Sequence, residues 1–80
     1  MKNAQDSKNS STNWKIESKL IDTYEISPTD TQHEYLVYVK DGANQSIEAR
    51  TAFGIAHRTE VTKELLSKYG AYVDKIEHEE

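Results

Sequence analysis

Cysteine is absent from this 80-residue sequence, which excludes disulfide bonds and thiolate metal sites. Long hydrophobic runs are also lacking, and without about 18 consecutive apolar residues no helix is predicted to cross a membrane. The first residues contain no apolar stretch of the kind that signal peptides have. We therefore expect a soluble, cytoplasmic protein, and a chain of this length has room for one domain.

Apolar residues are scarce at the start of the chain, where Met1 and Ala4 are the only ones among residues 1–13. Such a segment cannot bury enough surface to offset an ordering entropy of about 1–2 kcal/mol per residue. We therefore predict a disordered polar tail over residues 1–13 and a single α+β domain over residues 14–80.

The next segment alternates apolar and polar residues with a period of two, which predicts a half-buried strand from Trp14 onwards. Its buried, apolar phase includes Ile16, Tyr24 and Ile26. Ile21 and Asp22 break the alternation, because Ile21 falls at a polar position and Asp22 at an apolar one. A β-bulge near these residues would restore the pattern. Residues 27–32 contain the single proline and are predicted to form a loop. A second strand is predicted over residues 33–40.

A hairpin signal, Asp41-Gly42, predicts that residues 41–45 connect the second strand to a third over residues 46–57. Strict alternation along this third strand separates two faces. The set expected to face the core is Ile47, Ala49, Thr51, Phe53 and Ile55. The set expected on the outer, solvent-facing side is Glu48, Arg50, Ala52, Gly54 and Ala56.

The registers expected for the three strands agree with one another. Pairing Ile26 with His33 across the first loop, and Lys40 with Ser46 across the second, places Tyr35 between Tyr24 and Thr51. One face is then apolar across all three strands, as an antiparallel meander covered on one side requires.

A helix over residues 59–69 is the candidate cover for that face, because Val61 and Leu65 lie on one stripe at helical spacing. Thr59 is the predicted N-cap. Gly70 follows the last apolar residue and is the predicted end of the helix.

A short final strand is predicted over residues 71–77, and the acidic end, residues 77–80, is expected to fray. A crossover after the third strand would place this last strand parallel to the first. The predicted fold class is therefore α+β. It consists of a three-stranded antiparallel meander, one covering helix and a short C-terminal strand, in the order β-β-β-α-β.

Catalytic and metal-binding motifs are missing from the sequence. His33, His57 and His78 are predicted at a strand start, a strand end and the acidic terminus, without the spacing of metal ligands. No serine lies in a Gly-x-Ser-x-Gly elbow, and the glycines are too isolated for a phosphate-binding loop. We predict that the protein is not an enzyme and binds no metal or cofactor.

Aromatic residues on the strands raise the alternative of single-stranded nucleic-acid binding, with Tyr24, Tyr35, Tyr38 and Phe53 as candidate stacking platforms, although Tyr35 and Phe53 also fall in the core phase. The net charge of −4 has the wrong sign for a protein that follows a phosphate backbone, so nucleic acid is the less favoured partner. The acidic excess is compatible with mimicry of nucleic-acid charge, although a solvated surface is the simpler interpretation.

A cluster of apolar residues on the predicted outer face indicates a protein partner. Ile21 is expected opposite Tyr38, with Leu36 and Ala52 diagonal to them. Large apolar groups at the centre of a face that should be wet suggest an interface, unless the bulge turns Ile21 inwards. The predicted protein-binding residues are Ile21, Leu36, Tyr38, Glu48, Arg50 and Ala52.

In size and composition the chain is similar to small, acidic, cysteine-free accessory proteins of phages and mobile elements, a resemblance of type that rests on no motif. It implies a protein-binding regulator or inhibitor that occupies a surface of a larger partner, such as a host defence system or a nucleic-acid enzyme. The alternatives are a module that binds single-stranded nucleic acid on its sheet and a homodimeric structural or assembly subunit.

Overall fold

The computed structural model describes residues 13–79. The elements follow one another as β1 (Trp14–Ser27), β2 (Asp30–Lys40), β3 (Ser46–Phe53), α1 (Ile55–Tyr69) and β4 (Val73–His78). This order confirms the predicted α+β class and β-β-β-α-β arrangement. Apart from Asn13, the predicted polar tail lies outside the described residues. No helix in the described part is long and apolar enough to cross a bilayer.

The strands form one sheet in the order β3-β2-β1-β4. β1 pairs antiparallel with β2, and β2 pairs antiparallel with β3, as predicted for a meander. β4 pairs parallel with β1 and places Ile76 beside Ile16. The crossover through α1 therefore brings the last strand next to the first, as the sequence predicts.

The core lies between α1 and one face of the sheet. Its buried apolar residues are Ile16, Val37, Val39, Ala52, Val61 and Leu65. Trp14, Tyr69 and Val73 are partly buried and pack against this cluster. A helix of this length is marginal by itself in water, so docking of its apolar stripe on the sheet is what stabilises it.

The β1–β2 hairpin has a tighter tip than predicted. β2 begins at Asp30, directly after a turn at Pro28 and Thr29, so the loop predicted over residues 27–32 is wrong. Proline presets the backbone angle of a short turn. Both strands therefore continue into the segment that the sequence assigned to a loop.

The bulge predicted near Ile21 is confirmed, because the strand pairing skips from Leu20 to Asp22. The shorter loop also moves the two strands relative to each other. Tyr35 lies opposite Leu20, whereas the partner predicted for it was Tyr24.

A second bulge inverts β3 relative to the prediction. Lys40 pairs with Ser46 as expected, but Val39 pairs with Glu48, so Ile47 is an extra residue between the two pairs. A slip of one residue moves every later side chain of a strand to the other face. The faces assigned to the third strand are therefore wrong from the bulge onwards.

The inversion changes the environment of the β3 side chains. Ala52 is fully buried beneath the helix, whereas Phe53 is 43% exposed. Glu48 shares the helix side of the sheet with buried Val39, and Arg50 lies two residues further on the same side. The outer-face placement predicted for these residues is wrong.

α1 begins at Ile55, well before the predicted N-cap Thr59. Gly54 separates β3 from α1 and has a φ of +88°, a conformation that non-glycine residues rarely adopt. It lets the strand turn directly into the helix, and Arg58 N donates the first helical hydrogen bond to Gly54 O at 3.0 Å. The predicted third strand, residues 46–57, therefore ends early, and the Thr59 hydroxyl donates to Ile55 O instead of capping.

The helix ends at Tyr69 and Gly70 follows it, as predicted. Gly70 has a φ of −59°, so a left-handed turn is not the reason for glycine here. A Cβ at this position would lie 2.4 Å from the carbonyl oxygen of Leu66. Close approach of the backbone therefore selects glycine.

The last strand extends further than predicted. It covers Val73–His78, compared with the predicted residues 71–77. Glu79 N continues the pairing by donating to Ser18 O at 2.7 Å. The predicted fraying from residue 77 is wrong for residues 77–79, because strand pairing with β1 holds them.

The far half of the β1–β2 hairpin projects beyond the rest of the sheet. β3 ends opposite Glu34 and β4 ends opposite Ser18, so no other described strand flanks residues 22–33. We call residues 22–33 the arm. At about 3.3 Å per residue it is roughly 20 Å long, and the described part of the chain measures 62 × 19 × 15 Å.

Candidate interaction surface

The residues predicted to bind a partner do not share one surface. Ala52 lies in the core, and Glu48 and Arg50 lie on the helix side of the sheet. Leu36 and Tyr38 are on the opposite, outer face and are half-buried.

Ile21 is separated from this group. It lies at the bulge in β1 and is 44% exposed. The residue opposite Tyr38 is Glu17, so the predicted pair of Ile21 and Tyr38 is wrong. The premise of one shared exposed face is therefore wrong, and the binding role of the six residues stays a prediction.

A ladder of ion pairs occupies the centre of the outer face. Lys15 Nζ lies 2.8 Å from Glu17 and 3.7 Å from Glu77. Lys40 approaches Glu17 at 3.6 Å, and Lys75 approaches Glu77 at 3.0 Å. The charges on this face are therefore matched within the protein.

Tyr38 is tied to the same ladder. A hydrogen bond from Lys15, followed by one from Tyr38, lowers the pKa of Glu17 to about 2. The same carboxylate raises the pKa of Tyr38 to about 12, because it accepts the phenol proton in a hydrogen bond. Lys40 Nζ lies 5.6 Å from the centre of the Tyr38 ring. Tyr38 thus has an internal role in the ladder.

Glu48 and Arg50 connect β3 to the helix. Glu48 accepts hydrogen bonds from Lys68 Nζ at 2.9 Å and from the Tyr69 hydroxyl at 2.7 Å. Arg50 donates to Glu48 at 3.0 Å and to Glu64 at 2.5 Å. Lys68 first, then Tyr69 and Arg50, lower the pKa of Glu48 to about 2. These contacts explain why charged residues are tolerated on the helix side.

Among the described residues, five of the nine large exposed apolar residues lie on and beside the arm, between 40% and 59% exposed. They are Ile21, Tyr24, Ile26, Phe53 and Ile55. We call these five residues the distal apolar surface. The other four, Ile47, Leu66, Tyr72 and Ile76, lie elsewhere in the fold. Large apolar side chains grouped outside a core are typical of a protein interface.

The outer side of this surface is aromatic. The rings of Tyr24 and Phe53 lie with their centres 6.4 Å apart. The Tyr24 hydroxyl donates to Glu34 at 2.5 Å, which raises the pKa of Tyr24 to about 12. The hydrogen bond fixes the ring while leaving 40% of the residue exposed. A positioned tyrosine with an exposed ring offers a large contact area at little entropic cost.

The inner side of the surface is a cleft where the arm meets the start of α1. It has a volume of about 490 Å³, and Ile26, His33 and Ile55 lie along it. Tyr35, which is 2% exposed, also lines the cleft. The Arg58 guanidinium lies 4.6 Å from the centre of the Tyr35 ring. Asp30, Thr31 and Gln32 also line the cleft, so it is open and has both polar and apolar walls.

Negative charge surrounds the apolar residues of the arm. The arm contains Asp22, Glu25 and Asp30 and has no lysine or arginine. A complementary surface would be an apolar groove with basic residues along its rim.

A serine–histidine contact elsewhere on the sheet has a structural role. Ser18 Oγ and His78 Nδ1 are hydrogen-bonded, an arrangement also found in nucleophilic sites. Ser18 is only 1% exposed, so its oxygen is closed to a substrate. The contact joins β4 to β1. Across residues 13–79, no three histidine, aspartate or glutamate side chains converge as metal ligands.

The sequence did not assign four residues of the distal apolar surface to a protein interface: Tyr24, Ile26, Phe53 and Ile55. Tyr24 and Phe53 were considered for binding only as base-stacking platforms. Two of the four were assigned to the core through the wrong phase of β3, and the other two through the alternation of β1. One signal was present, because the alternation fails at Ile21 and a bulge changes which face the following residues occupy.

Comparison with known protein families, characterised proteins and solved structures finds no match to this chain. The function is therefore inferred from the surface described above.

Proposed function

We propose that this protein is a cytoplasmic, protein-binding regulator or inhibitor. It acts by inserting the arm and the distal apolar surface into an apolar, basic-rimmed groove of a larger protein, and it thereby occupies that groove. The observation that carries the proposal is the group of five exposed large apolar residues on and beside the projecting arm.

The contrast between the arm and the central outer face supports this location. On the central face, Lys15, Glu17 and Glu77 compensate one another, so a partner would have to disrupt existing ion pairs. On the arm, Ile26 and its neighbours present apolar surface to water in the free protein. Burial of an isoleucine side chain contributes about 1.5–3 kcal/mol, so a few such residues supply much of a binding energy.

The charges on and near the arm favour a protein partner over nucleic acid. Tyr24 and Phe53 form an aromatic pair on an open sheet, which is the feature that a base-stacking site needs. Glu34 is bonded to Tyr24, and Asp22 follows the bulge on the same strand. These carboxylates would repel a phosphate backbone.

Photo-cross-linking in the native cell tests the proposal. A photoreactive phenylalanine analogue is placed at Tyr24 or at Ile26, and at Leu66 as a control. Leu66 is an exposed apolar residue on the helix, remote from the arm in sequence. We expect one protein to be cross-linked from both arm positions and not from Leu66.

A competition experiment distinguishes specific binding from chance contact. Excess unlabelled wild-type protein should abolish the adduct, whereas the folded variant Ile26→Asp should not. Adducts of equal yield from Leu66, or competition by Ile26→Asp as strong as by wild type, would overturn the proposal. Adducts with RNA or DNA in place of protein would also overturn it and favour the nucleic-acid alternative.

A further inference from the structure

β3 is the edge strand of the sheet on the side away from β1. Gly54 N donates to His33 O at 2.8 Å, so these two residues form a hydrogen-bonded pair between β3 and β2. Hydrogen-bonded pairs alternate along an antiparallel ladder, so Ala52 and Arg50 also bond to β2. The alternate residues of β3 then direct their backbone N–H and C=O groups away from β2. Ala49, Thr51 and Phe53 belong to this outward set.

One end of this edge is closed by a side chain. Phe53 N donates to His57 Nδ1 at 3.1 Å, so its outward N–H already has a partner. Ala49 and Thr51 have small, exposed side chains that leave access to their backbone. The accessible part of the β3 edge is therefore the stretch around these two residues.

The opposite edge of the sheet is β4, and beyond the end of β4 the rest of β1 is uncovered. On this uncovered part, β1 carries the bulge at Ile21, and Asp22 Oδ1 accepts the backbone N–H of Thr23 at 2.8 Å. Bulges and local side-chain bonds of this kind block pairing with another chain. On β3, the outward backbone groups of Ala49 and Thr51 lie between the bulge at Ile47 and the occupied N–H of Phe53.

We infer that the β3 edge pairs antiparallel with the β3 edge of a second copy of this chain, about a two-fold axis through Ala49. In this arrangement each residue before Ala49 lies opposite the residue at the same distance after Ala49 in the second copy. Glu48 then lies opposite the partner subunit's Arg50, and Arg50 lies opposite the partner subunit's Glu48.

Charge selects this register from its neighbours. An axis through Arg50 would place two arginines opposite each other, and an axis through Glu48 would place two glutamates opposite each other. Like charges directly across an antiparallel pair are destabilising. An axis through Thr51 would require the Phe53 N–H that His57 already occupies. The axis through Ala49 combines the outward backbone groups of Ala49 with two opposite-charge pairs. These pairs would extend the ion pairs that Glu48 and Arg50 already make within each subunit.

The flank of the helix next to this edge is compatible with a second subunit. Glu64 and Lys68 contact Arg50 and Glu48, so this flank of α1 lies over β3. An open groove of about 610 Å³ continues along Phe53, Ala56 and Glu60. The dimer would be a continuous eight-stranded sheet with both helices on one face. Its arms would point in opposite directions and remain free, so this inference is independent of the proposed function.

Analytical ultracentrifugation of the full chain tests the inference directly. We expect wild type to change from monomer to dimer as the concentration rises from about 10 µM to about 1 mM, the range of a small interface. The variant Ala49→Pro should stay monomeric and folded, because proline removes only an outward N–H on an edge strand. Wild type that remains monomeric at the highest concentration would overturn the inference, and so would a dimer that persists in the folded proline variant.

A charge-exchange pair supplies a test that does not depend on one variant. Glu48→Arg and Arg50→Glu should each weaken self-association at least tenfold, because each places like charges across the axis. An equal mixture of the two variants should form a heterodimer, since every opposed pair then has opposite charges. Folded variants that fail to associate when mixed would overturn the inference.

Discussion

Tyr35 and Ala52 lie directly opposite each other on β2 and β3, and both are buried beneath α1. Thr51, the next residue back along β3, is exposed on the other side of the sheet. This relationship fixes which residues of β3 face the helix, and it places Phe53 next to Tyr24 on the outer side of the distal apolar surface.

Substitution of aspartate at neighbouring positions of β3 tests this orientation. Ala52→Asp should unfold the protein, because an unpaired carboxylate beneath the helix costs on the order of 4 kcal/mol or more. Thr51→Asp should leave the fold intact, since its side chain is in water. Circular dichroism and thermal melts measure both variants. Equal losses, or a greater loss for Thr51→Asp, would show that β3 has the opposite phase.

Leu65 is the most deeply buried residue of the helix. It is fully buried, whereas Leu66 is 37% exposed. We expect Leu65→Ala to reduce the free energy of unfolding by about 2–5 kcal/mol and Leu66→Ala to reduce it by less than about 1 kcal/mol. Urea unfolding measures the free energy of both variants. Because both substitutions replace leucine with alanine in the same helix, the difference between them reports burial alone. Similar values for the two variants would contradict the helix phase.

Gly54 is required for its backbone conformation and not for space. Its φ is +88°, and a Cβ built there has no neighbour within 4 Å. Gly54→Ala should therefore destabilise the protein by about 1–2 kcal/mol. D-alanine at the same position, introduced by chemical synthesis, should be tolerated because D-residues favour positive φ. A D-alanine variant as unstable as the L-alanine variant would contradict this explanation.

The sequence was sufficient for the order of elements, the meander, the parallel β4 and the bulge at Ile21. The parallel β4 follows from the general handedness of crossover connections. The others depend on a local pattern: period-two alternation, a hairpin signal or a helical stripe. The phase of β3 could not be obtained in this way. Ala52 and Phe53 are both apolar, and one extra residue at Ile47 decides which of them is buried. Glu48 and Arg50 indicated the wrong face, because their ion pairs with the helix are not visible in the sequence.

The arm could not be predicted for a related reason. The predicted loop at residues 27–32 shortened both strands, so the hairpin was not expected to extend beyond the rest of the sheet. Alternation assigned Tyr24 and Ile26 to the core because nothing local shows where the covering helix ends. The start of α1 depends on the positive φ of Gly54, which sequence alone does not specify.

Acid should weaken the fold through two glutamates. Folding lowers the pKa of Glu48 from 4.5 to about 2, and that of Glu17 by the same amount. A carboxylate whose pKa is lowered on folding contributes stability above its unfolded pKa and loses it as the pH falls through its folded pKa. Stability should therefore decline between about pH 5 and pH 2. Thermal melts across this range measure the decline.

Carboxyl NMR titration assigns the effect to each residue. Lys68→Met should raise the pKa of Glu48 and leave Glu17 unchanged, because Lys68 is the main cause of the Glu48 shift. Lys15→Met should do the reverse. The two variants are controls for each other. A pKa near 4.5 for either glutamate in wild type would contradict the contacts described for it.

Hydrogen exchange of the arm amides, measured in the free protein and in complex with the cross-linked partner, tests the central claim most directly. An isolated two-stranded ribbon is only marginally stable, so residues 22–33 should exchange rapidly in the free protein. Binding should slow their exchange by at least about tenfold and leave the exchange of the α1 and β4 amides unchanged. Protection confined to α1 and β4, with the arm unaffected, would contradict the account.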